Sequence, residues 1–264
     1  MCGIVAIAGK DQVASRLVDG LKRLEYRGYD SAGIALASGA GIERRRAKGK
    51  IHNLQARLSE DPVEGFTGIA HTRWATHGAP NETNAHPHMA GGAAVVHNGI
   101  IENYRELREA LEARGRVFES ETDTEVIAQL IAQNMSEGMD EVAAFADALT
   151  HFTGAFAIAA IFAGKPDLVI GARKGSPLVL GYGEGEMYLG SDAIALAPLT
   201  REVTYLEEGD WVILTSNSFD IRNVRGERVN RPRVTSAVND ALIERGEYDH
   251  FMLKEIHEQP ESLA

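Results

Sequence analysis

The sequence predicts an α+β fold in which antiparallel sheets are covered by helices. Three observations carry this. Helix and strand patterns are clustered along the chain rather than strictly alternating, which disfavours a doubly wound parallel sheet. Neighbouring strand patterns are separated by hairpin-type spacings. The stretch from Gly154 to Ile221 is a series of short strands broken by Gly, Pro and Asp turns.

Local patterns give the elements in order. Ile4 to Ala8 is an apolar run that suits a buried strand. Val13, Leu17, Leu21 and Leu24 recur at helical spacing, so Asp11 to Glu25 is a helix. A glycine-punctuated loop, Tyr26 to Gly33, leads into a strand at Ile34 to Ala37, and a helix over Ile51 to Leu58 follows. Thr67 to Thr72 and Ala93 to Val96 are strands, with a long Gly-, Pro-, Asn- and His-rich loop from Trp74 to Gly92 between them. A loop of that length inside a compact domain is usually functional or disordered. Glu102 to Arg114 is a charged amphipathic helix. Thr122-Asp123-Thr124-Glu125 has capping-box spacing and opens a helix to about Met135; another covers Asp140 to Leu149. Strands are expected at Ala155–Phe162, Leu168–Ala172, Leu178–Gly181, Met187–Gly190, Val203–Leu206, Trp211–Leu214 and Phe219–Ile221, and a helical tail from Asp249 to Ala264.

Composition narrows the function classes. The chain has 264 residues, enough for one large domain or two small ones. Its net charge of −11 argues against nucleic acid or an anionic membrane as partner. The basic run Arg44-Arg45-Arg46, with Lys48 and Lys50, reads as a solvated strand or loop edge. No signal-peptide pattern opens the chain, and no run of about 18 apolar residues predicts a transmembrane helix. A single cysteine cannot form an intramolecular disulfide, and a reducing cytoplasm is its natural setting.

That cysteine, Cys2, follows the initiator methionine. With Met1 removed it would carry a thiol and a free α-amine, a nucleophile and a base on one residue. The α-amine has a reference pKa of about 7.7–8.0, so a useful fraction is unprotonated near neutrality. Position alone also allows a small residue in an ordinary strand.

Three polar clusters decide between these readings. In His71 to Gly78, Arg73 ends an apolar strand, where bidentate capture of a carboxylate is feasible, and Trp74 could close over a small ligand. A surface ion pair and a core tryptophan compete with that. His97-Asn98-Gly99 offers a side-chain amide beside a glycine N–H, the parts of an oxyanion hole, although Asn-Gly is also a plain turn signal. In Ser120 to Thr124, Asp123 at a helix N-terminus could hold an ammonium or simply cap the helix. His71, His77, His86, His88 and His97 lack metal-ligand spacing, so no metal is expected. Together the clusters fit an amino acid attacked at a side-chain acyl group, with glutamine the natural candidate.

With these motifs in that order, the chain resembles the glutaminase domains of the glucosamine-6-phosphate synthases, which are class II glutamine amidotransferases. The matching stretches include Met1 to Val5, Leu24 to Gly33, His71 to Gly78, Asn84 to His88, Val96 to Asn103, Ser120 to Glu125, Lys174 to Leu178, Leu206 to Asp210 and Met252 to Pro260. The purine-pathway phosphoribosyl amidotransferases share an N-terminal cysteine and an Asn-Gly turn, but the wording around Tyr26-Arg27-Gly28 and Arg73-Trp74-Ala75 separates this chain from them. A glutamine sensor without turnover is the third reading, and an intact Met1 would support it.

The resemblance implies a four-layer αββα sandwich, the N-terminal nucleophile (Ntn) hydrolase fold. It implies Cys2 as nucleophile, Asn98 and Gly99 as oxyanion hole, and Arg73 and Asp123 as anchors for L-glutamine. Thr76 and His77 share that loop, Trp74 caps the site, and Arg27 lies near the nucleophile. It implies no cofactor. It places the glutaminase domain at 1–240 and a helical segment at 241–264 leading to an absent sugar-phosphate isomerase domain. The intact family protein is expected to be a cytoplasmic homo-oligomer.

Overall fold

The structure, a computed structural model, describes residues 2–237, 248 and 251–262. Met1 and the two ends of the expected tail helix therefore lie outside the described residues. Between them the tail is helical.

Eight strands form one sheet. They are β1 (Gly3–Ala8), β2 (Ser31–Ser38), β3 (Gly41–Lys48), β4 (Thr67–Arg73), β9 (Val179–Tyr182), β10 (Met187–Gly190), β11 (Glu202–Tyr205) and β14 (Val234–Thr235). Their order is β14-β11-β9-β10-β1-β4-β2-β3. The second sheet contains β5 (His88–Ala90), β6 (Ala93–Ile101), β7 (Gly154–Phe162), β8 (Lys165–Lys174), β12 (Trp211–Leu214) and β13 (Phe219–Arg222), ordered β13-β12-β8-β7-β6-β5. The pairings are antiparallel throughout, as the hairpin spacing predicts.

Side-chain alternation stacks these sheets. Ile4, Ala6 and Ala8 of β1 join a core with Ala94, Val96, Ala157 and Ala159 of the other sheet. The intervening Val5 and Ile7 face the opposite way, into a cluster with Leu17 and Leu21 of α1 (Ala14–Lys22) and Ile51 and Leu54 of α2 (Ile51–Glu60). On the far side, Ala93, Val95, Ile158 and Ala160 meet α4 (Thr124–Ser136) and α5 (Glu141–His151) through Val126, Ile127, Ile131 and Phe145. The central strands are buried on two faces, so β1, β2 and β7 read as nearly continuous apolar runs. The result is the αββα sandwich. The sheet-to-sheet layer mixes alanines such as Ala6, Ala35 and Ala157 with Ile4, Ile69, Leu180 and Leu189. The remaining helices are α3 (Tyr104–Ala113), α6 (Ala193–Leu196) and α7 (Phe251–Ser262). No described helix is long and apolar enough to cross a membrane.

Four local expectations change. The loop after Trp74 contains the short strand β5. Asn98-Gly99 is no turn: β6 runs through it, with Asn98 opposite Ala157 and Gly99 opposite Phe156. The capping box does not form. Glu125 instead accepts the backbone N–H groups of Glu119 and Ser120, at 2.8 and 2.6 Å. The basic run is not a merely solvated edge: Arg44 donates to Pro87 O, and Arg46 to Thr83 O and Ala85 O, which ties the loop ahead of β5 onto β3.

Candidate active site

The fold brings the sequence-predicted groups to one end of the sandwich. Gly3 of β1 pairs with Thr72 of β4, so Cys2 lies beside Arg73 and the loop that leaves it. The Trp74 N–H donates to Cys2 Sγ at 3.2 Å, and Sγ lies 3.7 Å from Trp74 O. From the opposite sheet, Asn98 Nδ2 donates to Cys2 O at 3.2 Å. Cys2, Arg73, Trp74, Thr76, His77, Gly99 and Asp123 line one cavity. Its free space is about 10 Å3. That is about the room one water needs. A whole amino acid needs more room than that. Trp74 is half exposed and rests on the Cα of Gly28, where a Cβ would fall 2.5 Å from the ring.

Arg73 is 3% exposed, which rules out the surface ion pair. Its guanidinium donates to the carbonyls of His77, Gly78 and Ala79, and among the described residues no salt bridge engages it. A buried guanidinium bonded only to neutral carbonyls retains its full charge for an anion. Burial lowers its pKa from the usual arginine range, opposed by the fields of Asp30, Cys2 and Asp123.

Asp123 precedes α4 and is 4% exposed. Its carboxylate does not cap its own helix. Oδ2 accepts the Ile101 N–H at 2.8 Å, which turns the group toward β6 and the cavity. Gly99 has φ +124°, and a Cβ there would sit 2.0 Å from Ala155 O. Only glycine fits.

Arg27 stands apart. It closes a 3₁₀ turn (Glu25–Arg27), pairs with Asp192 and is not among the cavity residues. Burial raises the Cys2 thiol above its ordinary range, opposed by the Trp74 N–H, the positive chain terminus and the Arg73 charge. A raised thiol favours a mechanism in which a base takes its proton.

Sequence reasoning missed several participants. Asp30 accepts the Ala75 N–H and so anchors the loop after Arg73. Its signal was its place in the Tyr29-Asp30-Ser31 wording. His86, His97, Thr122 and Thr124 also line the cavity. Their signal is their place in the His97-Asn98-Gly99 cluster, the Asn84 to His88 stretch and the Ser120 to Thr124 cluster. Among the described residues no group of His, Cys, Asp and Glu is arranged to hold a metal ion.

Fold and site together define a class II glutamine amidotransferase domain of the N-terminal nucleophile type. A family model described as a glutamine amidotransferase domain matches residues 71–198. The chain is similar over its whole length to proteins named glutamine–fructose-6-phosphate aminotransferase (isomerizing). The protein of that name from Bradyrhizobium diazoefficiens is 58% identical over 264 residues, 100% of this chain and 43% of the relative. The one from Brucella suis is 56% identical over 100% of this chain and 44% of the relative. This chain thus spans less than half the length of these relatives. The solved glutamine phosphoribosylpyrophosphate amidotransferase from B. subtilis superposes with a TM-score of 0.72 at 26% identity, over 84% of this chain and 49% of that one.

Proposed function

We propose that this chain hydrolyses L-glutamine to glutamate and ammonia through a γ-glutamyl thioester on Cys2. Arg73 takes the α-carboxylate and Asp123 the α-ammonium, with Thr76 and His77 completing the pocket and Trp74 closing it. The α-amine of Cys2, freed by removal of Met1, accepts the thiol proton. The sulfur adds to the side-chain carboxamide carbon, and the oxyanion is held by Asn98 Nδ2 and the Gly99 N–H. The amine returns its proton to the leaving nitrogen, the C–N bond breaks and ammonia departs. Water then adds to the thioester and releases glutamate. No cofactor enters these steps.

The observation that supports this best is the convergence of Cys2, Arg73, Asp123 and Gly99 on one cavity, from both sheets. A thiol raised by burial also suits an adjacent amine base better than spontaneous ionisation. Arg27, outside the cavity, would act by holding the turn beneath Trp74.

The relatives' length and name suggest the wider setting. In a longer protein the domain over 1–240 would pass ammonia, by way of the segment at 241–264, to a sugar-phosphate isomerase domain that makes glucosamine 6-phosphate from fructose 6-phosphate. We place that protein in the cytoplasm as a homo-oligomer. The decisive experiment is Cys2→Ala: the protein stays folded and ammonia release from glutamine is abolished. Release at the wild-type rate would sink the mechanism.

A further inference from the structure

A chain of buried hydrogen bonds stands behind Asn98. His71 Nε2 lies 3.0 Å from Asn98 Oδ1, and His86 Nδ1 lies 2.9 Å from His71 Nδ1. His71 is fully buried on β4 and His86 is 4% exposed. The mechanism above uses neither ring for chemistry.

The protons at Asn98 and His71 can be assigned. Asn98 Nδ2 must face Cys2 O, because the reversed amide would set two oxygens against each other at 3.2 Å. Asn98 Oδ1 therefore accepts, and His71 Nε2 carries the proton. Burial holds the His71 pKa down to about 3, against the opposing bond to Asn98, so the ring is neutral and has one N–H. His86 Nδ1 lies 2.9 Å from His71 Nδ1 and 3.2 Å from His71 Nε2, so the two rings pack against each other, and His86 Nε2 is buried with no partner among the described residues. The segment carrying His86 is fastened to β3 by Arg44 and Arg46. The Asn98 amide, held by Cys2 O, and the His71 ring thus fix each other's orientation.

We propose that His71 is the positioning residue of the oxyanion donor, holding Asn98 Oδ1 through Nε2–H, with His86 packed behind it. The proposal rests on the reading of Asn98 as that donor. It predicts an effect confined to steps that build an oxyanion. Alkylation of Cys2 by iodoacetamide displaces iodide at a saturated carbon and builds none, so it serves as the internal control.

The test compares wild type, His71→Leu, His71→Gln, Asn98→Ala and the His71→Leu/Asn98→Ala pair. His71→Leu should lower kcat for glutamine at least about 10-fold, within the range of an impaired oxyanion donor, with KM changed less than about 3-fold. Its alkylation rate should stay within about 2-fold of wild type. His71→Gln, which keeps an N–H donor, should recover most of the loss. In the Asn98→Ala background His71→Leu should have almost no further effect, since the two residues act as one unit. Wild-type kcat in His71→Leu, an equal loss in the Asn98→Ala background, or a parallel loss of alkylation would each overturn the proposal; the last would mark a purely structural role. Undiminished turnover by Asn98→Ala would instead overturn the reading of Asn98, and this proposal with it.

Discussion

Asn98 on β6 donates its side-chain amide to the main-chain carbonyl of Cys2 at 3.2 Å, joining the two sheets beside the nucleophile, although Asn98 itself does not line the cavity. The bond places a donor next to the thiol before any substrate arrives. Asn98→Ala should therefore lower kcat by about 10²–10³ with little change in KM, as loss of one oxyanion donor typically does. Steady-state glutamine hydrolysis checks this, and a KM effect without a kcat effect would reassign Asn98 to substrate binding.

Arg73 offers a buried charge whose hydrogen bonds go only to loop carbonyls. Charge-assisted bonds of this kind contribute about 1.5–3 kcal/mol each, so Arg73→Ala should raise KM for glutamine by at least about 10-fold. Arg73→Lys should recover little, because an ammonium lacks the planar fork. Unchanged KM would remove Arg73 from the carboxylate site.

Gly99 has no room for a side chain. Gly99→Ala must push the Ala155 carbonyl away or abandon φ +124°, so β6 and β7 separate locally. Turnover should be lost, and stability should fall by about 1–3 kcal/mol from backbone strain alone. Chemical denaturation reads the second effect; a stable, active Gly99→Ala protein would contradict the geometry.

Much of this was legible in the chain. Cys2, Arg73, Asn98 and Asp123 each stand out as a polar group at the end of an apolar run or on a loop, with Gly99 beside Asn98, and the fold brings Cys2, Arg73, Gly99 and Asp123 to one cavity. What was illegible had a common cause. Asn98-Gly99 looks like a turn because glycine permits one, yet pairing with Ala157 and Phe156 keeps the strand going. Thr122 to Glu125 has the spacing of a capping box, yet the neighbouring Glu119 and Ser120 amides claim Glu125. Arg44 and Arg46 look solvated, yet they grip a loop about 40 residues away in sequence. Long-range partners decide these cases, and local spacing carries no record of them.

The buried histidines make stability depend on pH. Burial lowers the pKa of His71 to about 3 and depresses His86, His88 and His97 as well. An unfolded histidine titrates near 6.5. Between these values the unfolded chain binds more protons than the folded one, so stability rises with pH. Acidifying below about 6.5 should therefore destabilise the protein, because the unfolded rings take up protons that the folded ones exclude. Urea midpoints measured from pH 7.5 to 4.5 test this. A flat profile below pH 6 would mean that these rings are protonated in the folded state.

The central claim is a thiol on a freed N-terminus. The most direct measurement is the intact mass of the protein before and after incubation with a glutamine analogue that is electrophilic at its γ-position. The account predicts that the form lacking Met1 gains one analogue, located on Cys2 by peptide mapping, while a form retaining Met1 labels far more slowly. Equal labelling of both forms, or an adduct on another residue, would contradict it.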